Sequence, residues 1–407
     1  MMSRRKLALG AVILILISSI VTGVLTIKIS EYINVKKGDR VIISREDYNK
    51  LMKVQKMYEI KDLIKKRYIG ESDDQALMDG AIKGMVATLG DRYSAYLTPE
   101  ENAELQINLS GTYGGVGLLV TIDPEDMMIT VVKPFKDSPG MKAGILPGDK
   151  LVKIDGKEVS YKNYDLAVNM LRGEKGTQVT VTIYREGEED LLEFTLVRDI
   201  IVQDTIEHRM LKDGIGYISI SSFDQNTAEE FTKGLEALME NNELKALVVD
   251  VRNNPGGYLH ICTQIADLLL PEALIVYTED KEGNRDEKWS DEESIGLPIA
   301  VLVNEMSASA SEILAGAIQD NSAGFVIGTQ TYGKGSVQAI IDFKDGSTLK
   351  LTTERYYTPN GKSIDGVGVT PDVQVELPKE LLKKLDIKDE EDTQLQKAIE
   401  MLERVIS

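Results

Sequence analysis

The chain of 407 residues has one cysteine, Cys262, and two histidines, His208 and His260. An internal disulfide is therefore excluded, and a thiolate zinc site nearly so. Any histidine metal site or Ser-His-Asp triad must draw on those two imidazoles. Basic charge is also scarce. Lys and Arg number 47 against 66 Asp and Glu, a net charge of −19. That balance argues against nucleic acid as the main partner, because phosphate contacts need basic patches. No internal repeat is present. Uncharged apolar runs are short with one exception. Leu7 to Ile27 carries no charge and follows Arg4, Arg5 and Lys6. At ~1.5 Å per residue such a run matches the ~30 Å core of a bilayer. A signal-peptide core is shorter, about 7–15 residues, and ends in a small-residue site. The expectation is an uncleaved membrane anchor, basic flank inside and the rest of the chain extracytoplasmic.

Apolar periodicity organises the chain beyond that run. Leu51, Val54, Met57, Tyr58, Ile60 and Ile64 recur near an i, i+3, i+4 spacing, which predicts a packed helix. A second helix extends to Gly90. Residues 98–186 read as a small β-rich domain. "GGVGLLVTI" and "MMITVVKPF" flank "DPED" as a hairpin, and Gly and Pro punctuate the turns. From 205 to 375 strands and helices alternate: "IGYISISSF", "KALVVDV" and "LPIAVLVN" as strands, "YLHICTQIADLLL" and "SEILAGAIQD" as helices. That rhythm predicts an α/β layered sheet with parallel strands. The tail 377–407 reads as a charged helical end.

Three loops after predicted strands are candidates for chemistry, since ligands in open α/β sheets bind beyond the carboxyl ends of strands. They are "RNNPGG", "NEMSASASE" and "GTQTYGKGSVQ". The last resembles a phosphate loop, G-x-x-x-x-G-K-[ST]. Gly335 stands where the magnesium hydroxyl is needed, and a strand comes next where a helix is needed. A nucleotide role for Lys334 is disfavoured. Ser309-Ala310-Ser311-Glu312 fits a helix capping box. The same position also suits a nucleophile, because helix N-terminal amides face developing negative charge. A serine nucleophile needs a base. His260 and Lys334 are the two candidates, His260 having no evident Asp partner. If residues 334–338 are extended, Lys334, Ser336 and Gln338 share a face, and Gln338 can orient the amine. Ser347-x-x-Lys350 lies in a hairpin, not a helix, and is discounted.

Taken together, "NEMSASASEILAGAIQD", "GTQTYGKGSVQ", "DVRNNPGG" and "GVGVTPDV" resemble the C-terminal processing peptidases, or tail-specific proteases. The resemblance covers nearly the whole chain. It implies an α/β peptidase core at 187–376 and a PDZ domain at 98–186. It also implies an N-terminal helical region at 28–97, a membrane anchor within 1–27 and a C-terminal helical segment at 377–407. It implies Ser309 as nucleophile, Lys334 as general base 25 residues on, Gln338 as its orienting partner, and no cofactor or metal. Ala310 and one of Gly256 and Gly257 would form the oxyanion hole. In the PDZ domain, amides around Gly115, Val116, Gly117 and Leu118 would take a peptide carboxylate. Arg172, read as lying at the far end of that domain, would couple it to the core. Implied partners are polypeptides with accessible apolar C-termini, the membrane, and a second copy through the terminal helices. The competing reading is a catalytically silent PDZ scaffold on the same fold.

Overall fold

A computed structural model describes residues 15–28, 43–124, 126–202, 204–240, 243–381 and 387–407. Two compact units are present, residues 1–82 and 83–407. In the first, Arg45–Arg67 is helical, with Ser44 Oγ accepting the Asp47 N–H at 3.0 Å and Lys65, Lys66 and Arg67 in the last turn. That charge order suits the helix dipole. Lys61 and Lys65 both pair with Asp74, which opens the next helix, Asp74–Ala87. The periodic face predicted to be packed is not. Leu51, Val54, Tyr58 and Ile60 are exposed, and the helix has no buried residue. Of the expected anchor, residues 15–28 are helical and 7–14 lie outside the described residues. Among the described residues no helix is long and apolar enough to cross a membrane.

The second unit is built on a six-stranded sheet. Its order is Ile206–Met210, Ile215–Ile220, Ala246–Asp250, Ile299–Val303, Gly324–Gly328 and Val373–Gln374. The first strand is antiparallel and the rest run parallel. The unbroken apolar strands reflect cover on both faces. Side chains alternate across a strand, so Leu247 and Val249 enter one core while Ala246 and Val248 enter the other. Helices Thr227–Met239, Leu259–Leu269 and Ala310–Asp320 fill the first core. The helix Thr393–Ile406 closes the second with Leu395, Ala398, Ile399 and Leu402.

A second sheet carries Ala95–Leu97, Thr348–Tyr357, Leu274–Asp280 and Arg285–Trp289, with Ser336–Asp342 paired to Thr348–Tyr357. A third body has its own core of Ile129, Leu151, Ile154, Val181 and Ile183. Its sheet runs Leu118–Ile122, Ile129–Pro134, Lys150–Ile154, Gln178–Tyr184, Leu192–Val197. The boundary read at residue 186 therefore falls between two paired strands. The chain enters and leaves this body through a two-stranded ribbon, Thr112–Gly115 with Asp199–Val202.

Candidate active site

The ends of three neighbouring parallel strands bring the three loops together. Asp250 leads into "VRNNPGG", Val303 into "NEMSAS", and Gly328 into "TQTYGKG". Asparagine and serine side chains stitch the first two. Asn254 Oδ1 accepts the Gly256 N–H at 2.8 Å, and its carbonyl accepts Ala308 N–H and Ser311 Oγ–H. Ser307 Oγ donates to the Val251 carbonyl at 2.8 Å. The outer serines of the run thus brace the turn. Ser309 sits between them with φ 58° and ψ −114°, a backbone conformation that costs about 1–3 kcal/mol and needs its surroundings to enforce it.

Glu312 supplies much of that enforcement. Its buried carboxylate accepts the Ser309 N–H at 2.8 Å, as the capping box predicts. It also accepts Thr331 Oγ–H at 2.6 Å, Gly333 N–H at 2.7 Å and Lys334 N–H at 2.8 Å. One side chain therefore ties the Ser309 turn to the Lys334 loop. The sequence shows the cap and hides the tether, because the other donors lie 19 or more residues away in the chain.

Lys334 is half-buried and makes no ion pair among the described residues. Burial, and after it the charge of Lys350, holds its amine below the ordinary lysine value, while Glu312 pulls the other way. Lys350 belongs to the discounted S-x-x-K pattern, and its place is that of a repelling neighbour. Tyr356, itself buried, donates its hydroxyl hydrogen to the Lys334 carbonyl. Gln338 is not on the amine. Its Nε2 donates to Ser336 Oγ at 2.9 Å and to Thr352 Oγ1 at 3.3 Å, and no hydrogen bond joins it to Lys334 among the described residues. The strand begins only at Ser336, so alternation puts Ser336 and Gln338 on one face but does not extend back to Lys334, which lies in the preceding loop.

The glycine pair divides its labour. A side chain on Gly256 would come within 2.8 Å of Ser309 Cβ and 3.1 Å of the Ala310 nitrogen, so this position must stay bare. The Gly256 N–H is held by Asn254, whereas those of Gly257 and Ala310 have no partner among the described residues. Ala310 is the first residue of its helix, where an N–H has no intrahelical acceptor. His260 is exposed on the first turn of Leu259–Leu269, its ring 5.2 Å from that of Tyr258, with no carboxylate partner described. His208 lies against Gly234 of the helix Thr227–Met239.

In the third body, Val116, Gly117, Leu118, Tyr164 and Leu171 line a groove of about 190 Å³. The strand Leu118–Ile122 is the edge of its sheet. Arg172 is not at the far end of this body. It lines the same groove, its backbone bridged to Gly115 and its guanidinium 5.2 Å from the Tyr113 ring. Its Nε is buried without a partner among the described residues.

Three family models match this chain: peptidase family S41 at 214–375, the PDZ domain at 130–185, and the N-terminal domain of the activating protease CtpB at 25–101. The carboxy-terminal-processing protease of Bartonella bacilliformis is 39% identical over 344 residues, spanning 83% of this chain and 78% of that one. This chain belongs to peptidase family S41. Another S41 relative, the carboxy-terminal processing protease CtpA of Bacillus subtilis, is 35% identical over 90% of this chain and 77% of its own. A solved S41 protease structure from Bacteroides fragilis shares the fold, with a TM-score of 0.55 at 16% identity, covering 86% of this chain and 98% of that one. The protein is thus a C-terminal processing serine protease with a PDZ domain, and the silent-scaffold reading is set aside.

Proposed function

We propose that this S41 peptidase cleaves polypeptides with a Ser309–Lys334 dyad. The observation that carries the reading is the meeting, at three adjacent strand ends, of a strained serine, a half-buried lysine and two amides, the lysine without an ion partner and the amides without an acceptor among the described residues. Neutral Lys334 Nζ takes the proton of Ser309 Oγ, and the oxygen attacks the scissile carbonyl. The N–H groups of Ala310 and Gly257 receive the oxyanion, Gly256 leaving room for it. The protonated lysine then gives its proton to the leaving amine, and a water activated by Lys334 hydrolyses the acyl-enzyme. Gln338 acts one step back, steadying the strand after the lysine. Ser309→Ala and Lys334→Ala should each abolish cleavage of an unfolded protein, and the double variant should be no worse, since a dyad acts as a unit. His260→Ala should stay active. The wild-type rate should rise with pH through the depressed lysine value, and Lys334→Arg should be dead, because guanidinium keeps its proton. Robust cleavage by Lys334→Ala would falsify the dyad.

The PDZ groove is assigned to the substrate's C-terminus. A peptide would add to the open edge of Leu118–Ile122, its carboxylate meeting the amides around Gly117 and its apolar side chains the groove wall. Arg172, lining that groove beside the ribbon to the core, is the proposed coupling residue. A free C-terminal peptide should then raise cleavage of a second substrate more than its amidated form does. Equal rates with and without saturating peptide would reduce the domain to a tether. The apolar run Leu7 to Ile27 behind Arg4, Arg5 and Lys6 is the basis for proposing a membrane anchor with an extracytoplasmic peptidase. Recovery of the full chain in the soluble fraction, without detergent, would remove that anchor.

A further inference from the structure

Residues 91–94, "DRYS", form a bracket beside the lysine. Asp91 Oδ1 accepts the Tyr93 N–H at 3.0 Å, and its Oδ2 accepts Ser94 Oγ–H at 2.5 Å. Ser94 Oγ in turn accepts the Thr352 N–H at 3.0 Å. Thr352 is the register partner of Gln338. The bracket is therefore fastened to the strand that pairs with the segment leaving Lys334. What it presents there is an aromatic ring: Lys334 Nζ lies over Tyr93, 5.3 Å from the ring centroid. Arg92 stands 4.7 Å from the centroid of Tyr93 and 5.1 Å from that of Tyr332. The Tyr93 hydroxyl is buried and has no hydrogen-bond partner among the described residues. That hydroxyl lies near the Arg92 and Tyr332 side chains, and among the described residues it makes no hydrogen bond to the lysine. Here the ring face is what makes the contact.

We propose that Tyr93 is a positioning residue of the Ser309–Lys334 dyad, its ring forming the wall that keeps water off the lysine amine. The proposal rests on the dyad reading. Two effects of the ring oppose each other. An aromatic face attracts an ammonium by the equivalent of roughly one pKa unit. Loss of hydration lowers a fully buried lysine by as much as about 3–5 units and a half-buried one by less. Burial is the largest influence on this amine, so exclusion of water outweighs the attraction and the ring favours the neutral form. The other groups around the amine are Lys350, which also favours the neutral form, and Glu312, which opposes it. Arg92, Tyr332 and Tyr356 complete the set.

The test is the rate at which a fluorophosphonate labels Ser309 in the full chain, measured against pH. In wild type the rate should rise along a basic limb. In Tyr93→Ala the limb should move up by about one pH unit, from partial rehydration. Labelling below the limb should then fall about tenfold and recover at high pH. Tyr93→Phe, which restores the ring, should return the limb to its wild-type position. An equal loss at every pH, or an unmoved limb, would overturn the proposal, and so would a limb that Phe does not restore. If Tyr93→Ala does not fold, Tyr93→Thr replaces it, with the same two outcomes. Persistent labelling in Lys334→Ala would instead break the dyad itself, so the two failures are distinct.

Discussion

Two buried acidic clusters flank the loops of this peptidase, and they are satisfied in different ways. Glu312 is answered by uncharged donors: three backbone N–H groups and one threonine hydroxyl. Asp250 and Asp392 are answered by a guanidinium. Arg252 Nη2 reaches Asp250 at 2.5 Å and Asp392 at 2.8 Å, and Gln394 and Tyr217 complete that network. Burial works against the Arg252 charge, but the two aspartates outweigh it and raise its value above the usual range. Directional hydrogen bonds to backbone fix where the chain goes, and Glu312 fixes both the serine turn and the lysine loop. The guanidinium fork is directional too, but it ties side chains rather than catalytic backbone, joining the first loop to the capped start of Thr393–Ile406. Glu312 should therefore act on chemistry, and the Arg252 cluster on stability.

The largest effect should come from breaking the first cluster. Glu312→Ala orphans four donors, each at about 1–3 kcal/mol where water cannot enter. Cleavage should fall at least about a hundredfold, a loss near 3 kcal/mol. Glu312→Gln should do nearly as badly, because an NH₂ would face donors where an acceptor is required. Near-normal cleavage by Glu312→Gln would show that the tether is dispensable. Arg252→Ala comes next. It leaves two aspartates facing each other and should cost about 3–5 kcal/mol in a denaturant melt. Its folded fraction should lose less activity than the Glu312 variants do. The smallest effect belongs to the neutral replacement Arg252→Met with Asp250→Asn and Asp392→Asn. Exchanging a buried ion cluster for uncharged groups is often close to neutral. A triple variant as unstable as Arg252→Ala would mean that the charges themselves are required.

The parts of this fold that are legible in the sequence are those with local signals. The unbroken strand Ala246–Asp250, the helix Ala310–Asp320 and the loops after each strand can be read from apolar runs and from glycine and proline. Ser309 and Lys334 stand out by motif. What is not legible depends on contacts far apart in the chain. Glu312 looks like a cap until Thr331 and Gly333 are seen to share it. Tyr93 has no motif to connect it to a lysine 241 positions later. Strand alternation misplaces Gln338 relative to Lys334 because the strand starts two residues after the lysine. Distance along the chain puts Arg172 far from the groove, whereas the return of Gly173 N–H to the Gly114 carbonyl, 3.0 Å, brings it back. The apolar face of Arg45–Arg67 is real as periodicity, yet periodicity cannot say what covers it.

The closing position of Thr393–Ile406 sets an order of events at the ribosome and beyond. Ile215, Tyr217, Val248, Ala300 and Leu302 line a sheet face that Leu395, Ala398, Ile399 and Leu402 cover. Domains form as their segments emerge. The residues of the cleavage site emerge before that cover, while their sheet still has one greasy side open. The two-sided core cannot finish until residue 402 has appeared, and the Arg252 cluster waits on Asp392. A half-made or clipped chain would therefore hold every residue of the dyad on a sheet without its second layer.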